Sequence, residues 1–95
     1  MNDPLAGATG FDWDRGNLAK SRVKHGVSPE EAEEVFLGAP VVAEDARHSR
    51  QEPRWIAYGK TFEGRALAIA FTVRGKLVRV ISARPMNEKE RNDYA

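Results

Sequence analysis

Hydrophobic positions follow a helical period in the first half of the chain. Ala32, Val35 and Phe36 recur at intervals of three and four residues, which places them on one face of a helix. The preceding run Ser28-Pro29-Glu30-Glu31 supplies an N-cap serine, a proline at the first helical position and the glutamate of a capping box. We therefore predict a helix that begins after the cap and ends at about Leu37.

A second helix is predicted upstream of the first. Asp14 is a suitable N-cap residue, and Trp13 and Leu18 then have the spacing of a hydrophobic staple. Gly26 supplies the left-handed residue that commonly ends a helix. This pattern indicates a helix over residues 15 to 24.

The period changes to two after Gly38 and Pro40. Alternation predicts four strands, which are Val41 to Glu44, Arg54 to Lys60, Arg65 to Arg74 and Leu77 to Arg84. Short links that contain glycine favour antiparallel pairing of neighbours, and Asn87 with Glu90 caps a terminal helix. We predict an α+β fold in which two helices precede a four-stranded antiparallel sheet and one helix follows it, in the order α-α-β-β-β-β-α.

Residue parity predicts which side chains share a face of the sheet. Leu67, Ile69, Phe71 and Val73 form a bulky face for the core, while alanines and Thr72 form a face of small residues. A two-residue turn at Gly75 would place Val78, Val80, Ser82 and Arg84 on the core side. Arg79 would then lie over the small residues, with Arg84 at the core-side rim beside a helix carboxylate. A three-residue loop would reverse these assignments.

Length and composition exclude several classes of protein. We expect residues 1–10 to be a disordered lead and residues 11–95 to form a single domain. The chain has no cysteine and two histidines, so we expect no disulfides, no metal site and no cofactor. It has no run of about 18 apolar residues and no pattern of a secretory signal, which predicts a soluble cytoplasmic protein without a membrane partner.

Charge is unevenly distributed along the chain. Residues 28–52 hold seven acidic and two basic residues, whereas residues 65–95 hold seven basic and three acidic residues. Such segregation suits a polyanion at one surface and a basic partner at another. Two solvated faces that balance each other remain the alternative.

Several short segments lie in order along residues 11–95. They are Phe11-Asp-Trp-Asp14, Lys24-His25-Gly26-Val27-Ser28, the Glu-rich helix ending in Phe36, Glu52 with Arg54, Gly59 through Gly64-Arg65, Arg74-Gly75, Arg79-Val-Ile-Ser-Ala-Arg84, and Glu90-Arg91 with Tyr94. Together these segments resemble the BrnT family of bacterial type II toxins. The resemblance implies a ribonuclease toxin with a RelE-like sheet. It also implies a BrnA-type antitoxin with a ribbon-helix-helix domain. The antitoxin would contact operator DNA, and the toxin would be linked to the DNA only through the antitoxin. A homodimer and a toxin–antitoxin heterotetramer are both compatible with the resemblance.

Metal-independent RNA cleavage needs a cation for the phosphoryl oxygens, a base for the 2′-hydroxyl and an acid for the leaving oxygen. Arg79 is our candidate for the phosphate clamp, because a guanidinium contacts two oxygens at once. His25, at the end of a predicted helix, is the candidate acid, and Glu52 is the candidate base. The alternatives are a salt bridge for Arg79, a plain helix cap for His25 and a Glu–Arg pair for Glu52.

Other residues could assist in catalysis or in binding RNA. Arg54 and Tyr94 are further catalytic candidates, with a structural ion pair and core packing as their respective alternatives. Candidates for contacts with the RNA backbone are Lys24, Arg84, Arg74 and Lys76. The leading hypothesis is a toxin endoribonuclease that inhibits translation and growth. The alternative is a non-catalytic module that binds the antitoxin and acts only in transcriptional autoregulation.

Overall fold

The computed structural model describes residues 3–13, 16, 25–48 and 51–95. The elements, in chain order, are β1 (Gly10–Trp13), α1 (Pro29–Leu37), β2 (Val41–Glu44), a short 3₁₀ turn (Ala46–His48), β3 (Trp55–Lys60), β4 (Ala66–Arg74), β5 (Leu77–Pro85) and α2 (Glu88–Tyr94). None of the helices described in these ranges is long and apolar enough to cross a membrane. The helix predicted over residues 15 to 24 lies outside the described residues, apart from Gly16.

All five strands belong to one sheet, in the order β1-β5-β4-β3-β2. The three pairings between β2, β3, β4 and β5 are antiparallel, as predicted, whereas β1 pairs in parallel with β5. The prediction of four strands, and of helices as the first elements, was therefore wrong. The segment of residues 10–13 is too short for its sequence pattern to predict a strand. Its partner β5 lies more than sixty residues further along the chain, so no hairpin turn indicates the pairing.

Both capping boxes that the sequence predicts are present. At α1, Ser28 Oγ accepts the Glu31 N–H at 3.2 Å and Glu31 Oε1 accepts the Ser28 N–H at 3.1 Å. At α2, Asn87 Oδ1 accepts the Glu90 N–H at 2.8 Å and Glu90 Oε1 accepts the Asn87 N–H at 3.0 Å. These bonds satisfy N–H groups that have no partner inside the helix, so each helix begins where its sequence indicates.

The main core lies between α1 and one face of the sheet. Leu67, Ile69 and Phe71 are fully buried there, as the parity of β4 predicts, and Ala32 and Val35 of α1 pack against them. Aromatic rings continue the contact, with the Phe36 and Phe71 centroids 5.1 Å apart in an edge-to-face arrangement. We call this face of the sheet the inner face and the opposite one the outer face.

Several of the described residues before β1 are held on the inner face. Leu5 and Ala8 pack against the core, and the Thr9 N–H donates to the Lys76 carbonyl at 2.7 Å. Within the segment of residues 1–10, for which we predicted a disordered lead, Leu5, Ala8 and Thr9 thus contact the sheet. The reason is that β1 pairs with β5, which carries the preceding residues onto the sheet beside the β4–β5 turn.

The turn between β4 and β5 has two residues, the first of the two alternatives considered, with Gly75 at a φ of +62°. Near the turn the predicted pairing is confirmed, because Thr72 lies opposite Arg79 and Val73 opposite Val78. Arg79 therefore lies on the outer face, over the small residues.

The register then shifts by one residue. Phe71 pairs with Val80 but Ala70 pairs with Ser82, which leaves Ile81 as the extra residue of a β-bulge. Beyond the bulge every side chain of β5 changes face relative to the prediction. Arg84 lies opposite Ala68 on the outer face, and Ala83 takes the core position at 1% exposure. The placement of Ser82 and Arg84 on the core side was therefore wrong, and Arg79 and Arg84 share one face.

Candidate functional site

The outer face holds a group of charged side chains around Arg79 at one end, which we call the charged end, and a pair of tyrosines beside a single ion pair at the other. Small and apolar residues separate the two ends, among them Ala70, Ser82 and Ile56, which lie in one row across three strands. α2 covers the second end, where Tyr94 and Met86 pack with Tyr58. The charged end thus lies away from α2.

Strand pairing holds Arg79 in place at the charged end. Arg79 lies between Asp12 of β1 and Thr72 of β4 in the register of the sheet. Its Nη1 donates to Asp12 Oδ2 at 3.2 Å, and the arginine side chain is 21% exposed. The buried Thr72 hydroxyl donates to the Pro53 carbonyl at 2.6 Å, which draws the segment before β3 towards Arg79.

This segment brings Glu52 to the same end of the face. Arg74 holds its carboxylate through Nη2 at 3.0 Å and Nε at 3.4 Å, the two-bond geometry typical of arginine. These bonds lower the pKa of Glu52 against an opposing loss of hydration, and the charges of Arg74, Arg54 and Arg79 each add a smaller lowering. Arg74 thus binds the carboxylate directly, and the charges of Arg54 and Arg79 also act on it.

We call Arg54, Arg74 and Arg79, together with Asp12 and Glu52, the arginine cluster. It carries one more positive than negative charge and offers many N–H donors at a partly exposed surface, which suits a bound phosphate. Four of these residues were already candidates for catalysis or RNA binding from the sequence, namely Arg54, Arg74, Arg79 and Glu52. Asp12 was missed because the strand that carries it was not recognised, although the apolar neighbours Phe11 and Trp13 already show the alternation of a strand.

At the other end of the face, Arg84 pairs with Glu90 at the start of α2. Its Nη1 and Nη2 donate to the two carboxylate oxygens at 2.6 and 2.9 Å. This is the pairing with a helix carboxylate that we expected for Arg84, although the residue reaches it from the outer face. Arg84 thus anchors the terminal helix to the sheet.

Two stacked tyrosines complete this contact. The rings of Tyr58 and Tyr94 lie 3.9 Å apart and nearly parallel, at 4°. Burial raises the pKa of Tyr58, and the neighbouring Glu90 carboxylate, to which its hydroxyl donates, raises it further. Tyr94 therefore packs on the sheet, the alternative that we gave for it, and lies at the end of the face away from Arg79.

The Arg84–Glu90 contact makes stability depend on pH. The hydrogen bonds from Arg84 lower the pKa of Glu90 from its ordinary value of 4.5 against partial burial, so the folded state binds fewer protons than the unfolded state in acid. The stabilisation is complete above the unfolded pKa and is lost as the pH falls through the folded pKa. We expect the urea concentration at the midpoint of unfolding to decrease as the pH is lowered from about 5 to 3. Glu90→Gln should lower the free energy of unfolding by roughly 1–2 kcal/mol at pH 7 and should make the midpoint depend less on pH.

The matched control is Glu88→Gln, which changes an exposed carboxyl of the same helix. It should leave both the stability at pH 7 and the acid slope close to those of the parent protein. Equal slopes for the parent protein and Glu90→Gln would contradict the assignment.

His25 is not brought to the arginine cluster. Its carbonyl accepts a bond of 3.1 Å from Arg65 Nη2, and Arg65 also binds the Gly26 carbonyl and Glu31. Arg65 precedes β4, whereas Thr72 beside Arg79 lies seven residues further on, roughly 23 Å along an extended strand. The structure thus separates the candidate acid from the candidate phosphate clamp.

The remaining candidates for RNA contacts have different positions. Lys76 lies exposed in the β4–β5 turn, two residues from Arg74. Lys24 lies outside the described residues. Across the parts of the chain that the structure describes, no group of three or more histidine, cysteine, aspartate or glutamate side chains is arranged to hold a metal ion.

Comparisons with known proteins agree on one family. The model for "Ribonuclease toxin, BrnT, of type II toxin-antitoxin system" matches residues 13–90. The crystal structure of the Brucella abortus ribonuclease toxin BrnT superimposes with a TM-score of 0.66 at 23% sequence identity, over 85% of this chain and 100% of that chain. At this level of sequence identity, the structural match supports a common fold. No relative was found among curated protein sequences.

Proposed function

Because the chain belongs to the BrnT family of ribonuclease toxins from type II toxin–antitoxin systems, we propose that it is an endoribonuclease that acts at the arginine cluster. The observation that carries the proposal is that the Arg74–Glu52 ion pair and the Arg79–Asp12 ion pair lie at the same end of the outer face, where the charge of Arg54 also acts on Glu52. Guanidinium groups stabilise the charge that develops on phosphoryl oxygens, and they remain cationic at any physiological pH. The reaction that we propose needs no metal ion.

Arg79 binds the scissile phosphate in this proposal. Asp12 is a positioning residue, since its bond to Nη1 restricts the guanidinium to one orientation on the outer face. The flat row of small residues beside Arg79 leaves room for the sugar and base of an RNA strand. Arg54 and Arg74 bind the same phosphate or its neighbours, and Lys76 extends the positive surface.

Glu52 is the proposed general base. Its carboxylate takes the proton of the 2′-hydroxyl, and the 2′-oxygen forms a bond to phosphorus while the bond to the 5′-oxygen breaks. The 5′-oxygen takes a proton from water, and the products are a 2′,3′-cyclic phosphate and a free 5′-hydroxyl. Because the lowered pKa of Glu52 makes it a weak base, the arginines supply most of the acceleration.

A type II toxin has an antitoxin as its partner. We propose a BrnA-type antitoxin with a ribbon-helix-helix domain, which neutralises the toxin and connects it to operator DNA. Free toxin would cleave RNA in the cytoplasm, and translation and growth would stop as a result. Tyr94 and Arg84 serve mainly to hold α2 on the sheet in this proposal, and His25 takes no part in catalysis.

The experiment is cleavage of a short RNA by the purified full chain in the presence of EDTA. We expect fragments that end in a 2′,3′-cyclic phosphate, identified by mass spectrometry, with no effect of the chelator. A matched substrate with deoxyribose at every position should remain intact, because it lacks the nucleophile. A folded protein that leaves RNA intact would refute the enzyme and favour the non-catalytic module.

A further inference from the structure

A groove on the inner side of the molecule has no part in the reaction just described. It runs between the N-terminal segment with the start of β1, α1, β2 and the first residue of β3. Two open hollows of about 590 and 290 Å³ form it, and they meet at Leu5 and Phe36, which line both. We call it the acidic groove, for the charges at its rim.

The wall of the acidic groove is mainly apolar. Phe36, Trp55 and Phe11 contribute aromatic surface that the core covers only in part. Leu37, at the rim, is 72% exposed. The exposed leucine and the partly covered rings leave apolar surface that another molecule could bury.

Charge limits what that molecule can be. Among the described residues that line the hollows, Asp3 and Glu44 are the only charged ones. Residues 26–46, which include α1 and β2, hold six acidic residues and no lysine or arginine. The arginine cluster lies on the outer face, on the other side of the sheet. A polyanion such as RNA is therefore repelled from the groove, whereas a basic partner is attracted to it.

We propose that the acidic groove receives a basic amphipathic helix of the partner protein. Apolar side chains at i, i+3, i+4 and i+7 would enter the hollows on both sides of Leu5 and Phe36, and lysines or arginines beside them would face Asp3 and Glu44. Neither helix that the structure describes would suit the groove of a second copy, because α1 is acidic and α2 offers only Tyr94 as an apolar residue. The proposal rests on the proposed function for one point, that the antitoxin supplies the helix.

The position of the groove has a consequence for the complex. Since the groove and the arginine cluster lie on opposite faces of the sheet, a helix bound in the groove leaves the cluster open. The helix would thus hold the partner on the toxin, and neutralisation would require a further part of the partner on the outer face.

The test uses the full chain and a dye-labelled synthetic peptide of about 14 residues, long enough to span about 21 Å as a helix on a molecule 25 to 30 Å across. The peptide contains only leucine and lysine, with leucines on one helical face. A scrambled peptide of the same composition is its control. We expect the amphipathic peptide to bind, by fluorescence anisotropy at about 0.15 M salt, at least tenfold more tightly than the scrambled one.

Matched variants locate the site. Leu37→Ser and Glu44→Lys change the groove, and each should weaken binding about tenfold. Phe62→Ser and Glu63→Lys are their controls. Phe62 is 72% exposed, like Leu37, but lies with Glu63 in the β3–β4 turn, outside the groove. The control variants should stay within about twofold of the parent protein.

Binding must also be independent of RNA cleavage. The Arg79→Ala variant should bind the peptide as the parent protein does, so a failure of the proposed enzyme would leave this result intact. Equal affinity for both peptides, or loss of affinity in the Arg79 variant alone, would overturn the groove as the site. So would sedimentation data that show a dimer of the free chain which Leu37→Ser converts to a monomer, because a second copy would then fill the groove.

Discussion

The Arg79→Ala variant should cleave RNA about a hundred- to a thousandfold more slowly than the parent protein, with the loss in kcat. The expected loss is large because the guanidinium contacts the phosphoryl oxygens most strongly when their charge is greatest, in the transition state. The measurement is the single-turnover rate on a fluorogenic RNA. Circular dichroism and the urea midpoint should confirm that the variant folds, since Asp12, the partner left behind, is partly exposed and stays hydrated.

Two further variants separate the role of Arg79 from a general effect of charge. Arg79→Lys keeps the charge but loses the two-bond geometry, so it should recover only part of the rate. Lys89→Ala removes an exposed charge from α2, away from the cluster, and should leave the rate nearly unchanged. Equal rates for Arg79→Ala and Lys89→Ala would show that the phosphate binds elsewhere.

The Phe71→Ala variant should lose about 3–5 kcal/mol of stability, the largest structural effect that we expect. Phe71 is fully buried at the centre of the sheet, with the rings of Phe36 and Trp55 at 5.1 and 5.9 Å. An alanine leaves a cavity that these rings cannot fill without breaking their other contacts. A small domain is typically stable by about 5–15 kcal/mol, so the variant should be close to unfolding at 37 °C.

Phe62→Ala is the matched control, because it makes the same substitution at a phenylalanine that is 72% exposed. It should change the free energy of unfolding by less than about 0.5 kcal/mol. Urea denaturation followed by tryptophan fluorescence measures both variants. A loss below about 1 kcal/mol for Phe71→Ala would mean that α1 does not hold the sheet in the way described.

Local signals in the sequence account for much of the fold. Ser28 and Asn87 begin their helices as predicted because a capping box involves residues only three positions apart. The inner face of β4 was predicted because strand side chains alternate strictly, and Gly75 defines the turn because its left-handed backbone favours glycine.

Contacts between distant segments produced the errors. The strand at Gly10–Trp13 exists because β5 offers it a partner, and nothing within its four residues indicates that partner. The bulge at Ile81 is likewise a property of two strands together, since it appears only when β5 is aligned with β4. The extra residue of the bulge places the Arg84 side chain on the face of the sheet opposite to the one predicted.

The same division applies to the candidate site. The sequence by itself determined the arginines, the family resemblance and the polarity of each region, because these depend on residue type and order. Only the tertiary structure decided that Asp12 and Glu52 lie with Arg79, that His25 does not, and that the acidic groove lies on the opposite face from the arginine cluster. These features depend on residues that are far apart in the chain. Strand order and register bring such residues together or keep them apart, and no local sequence pattern encodes either.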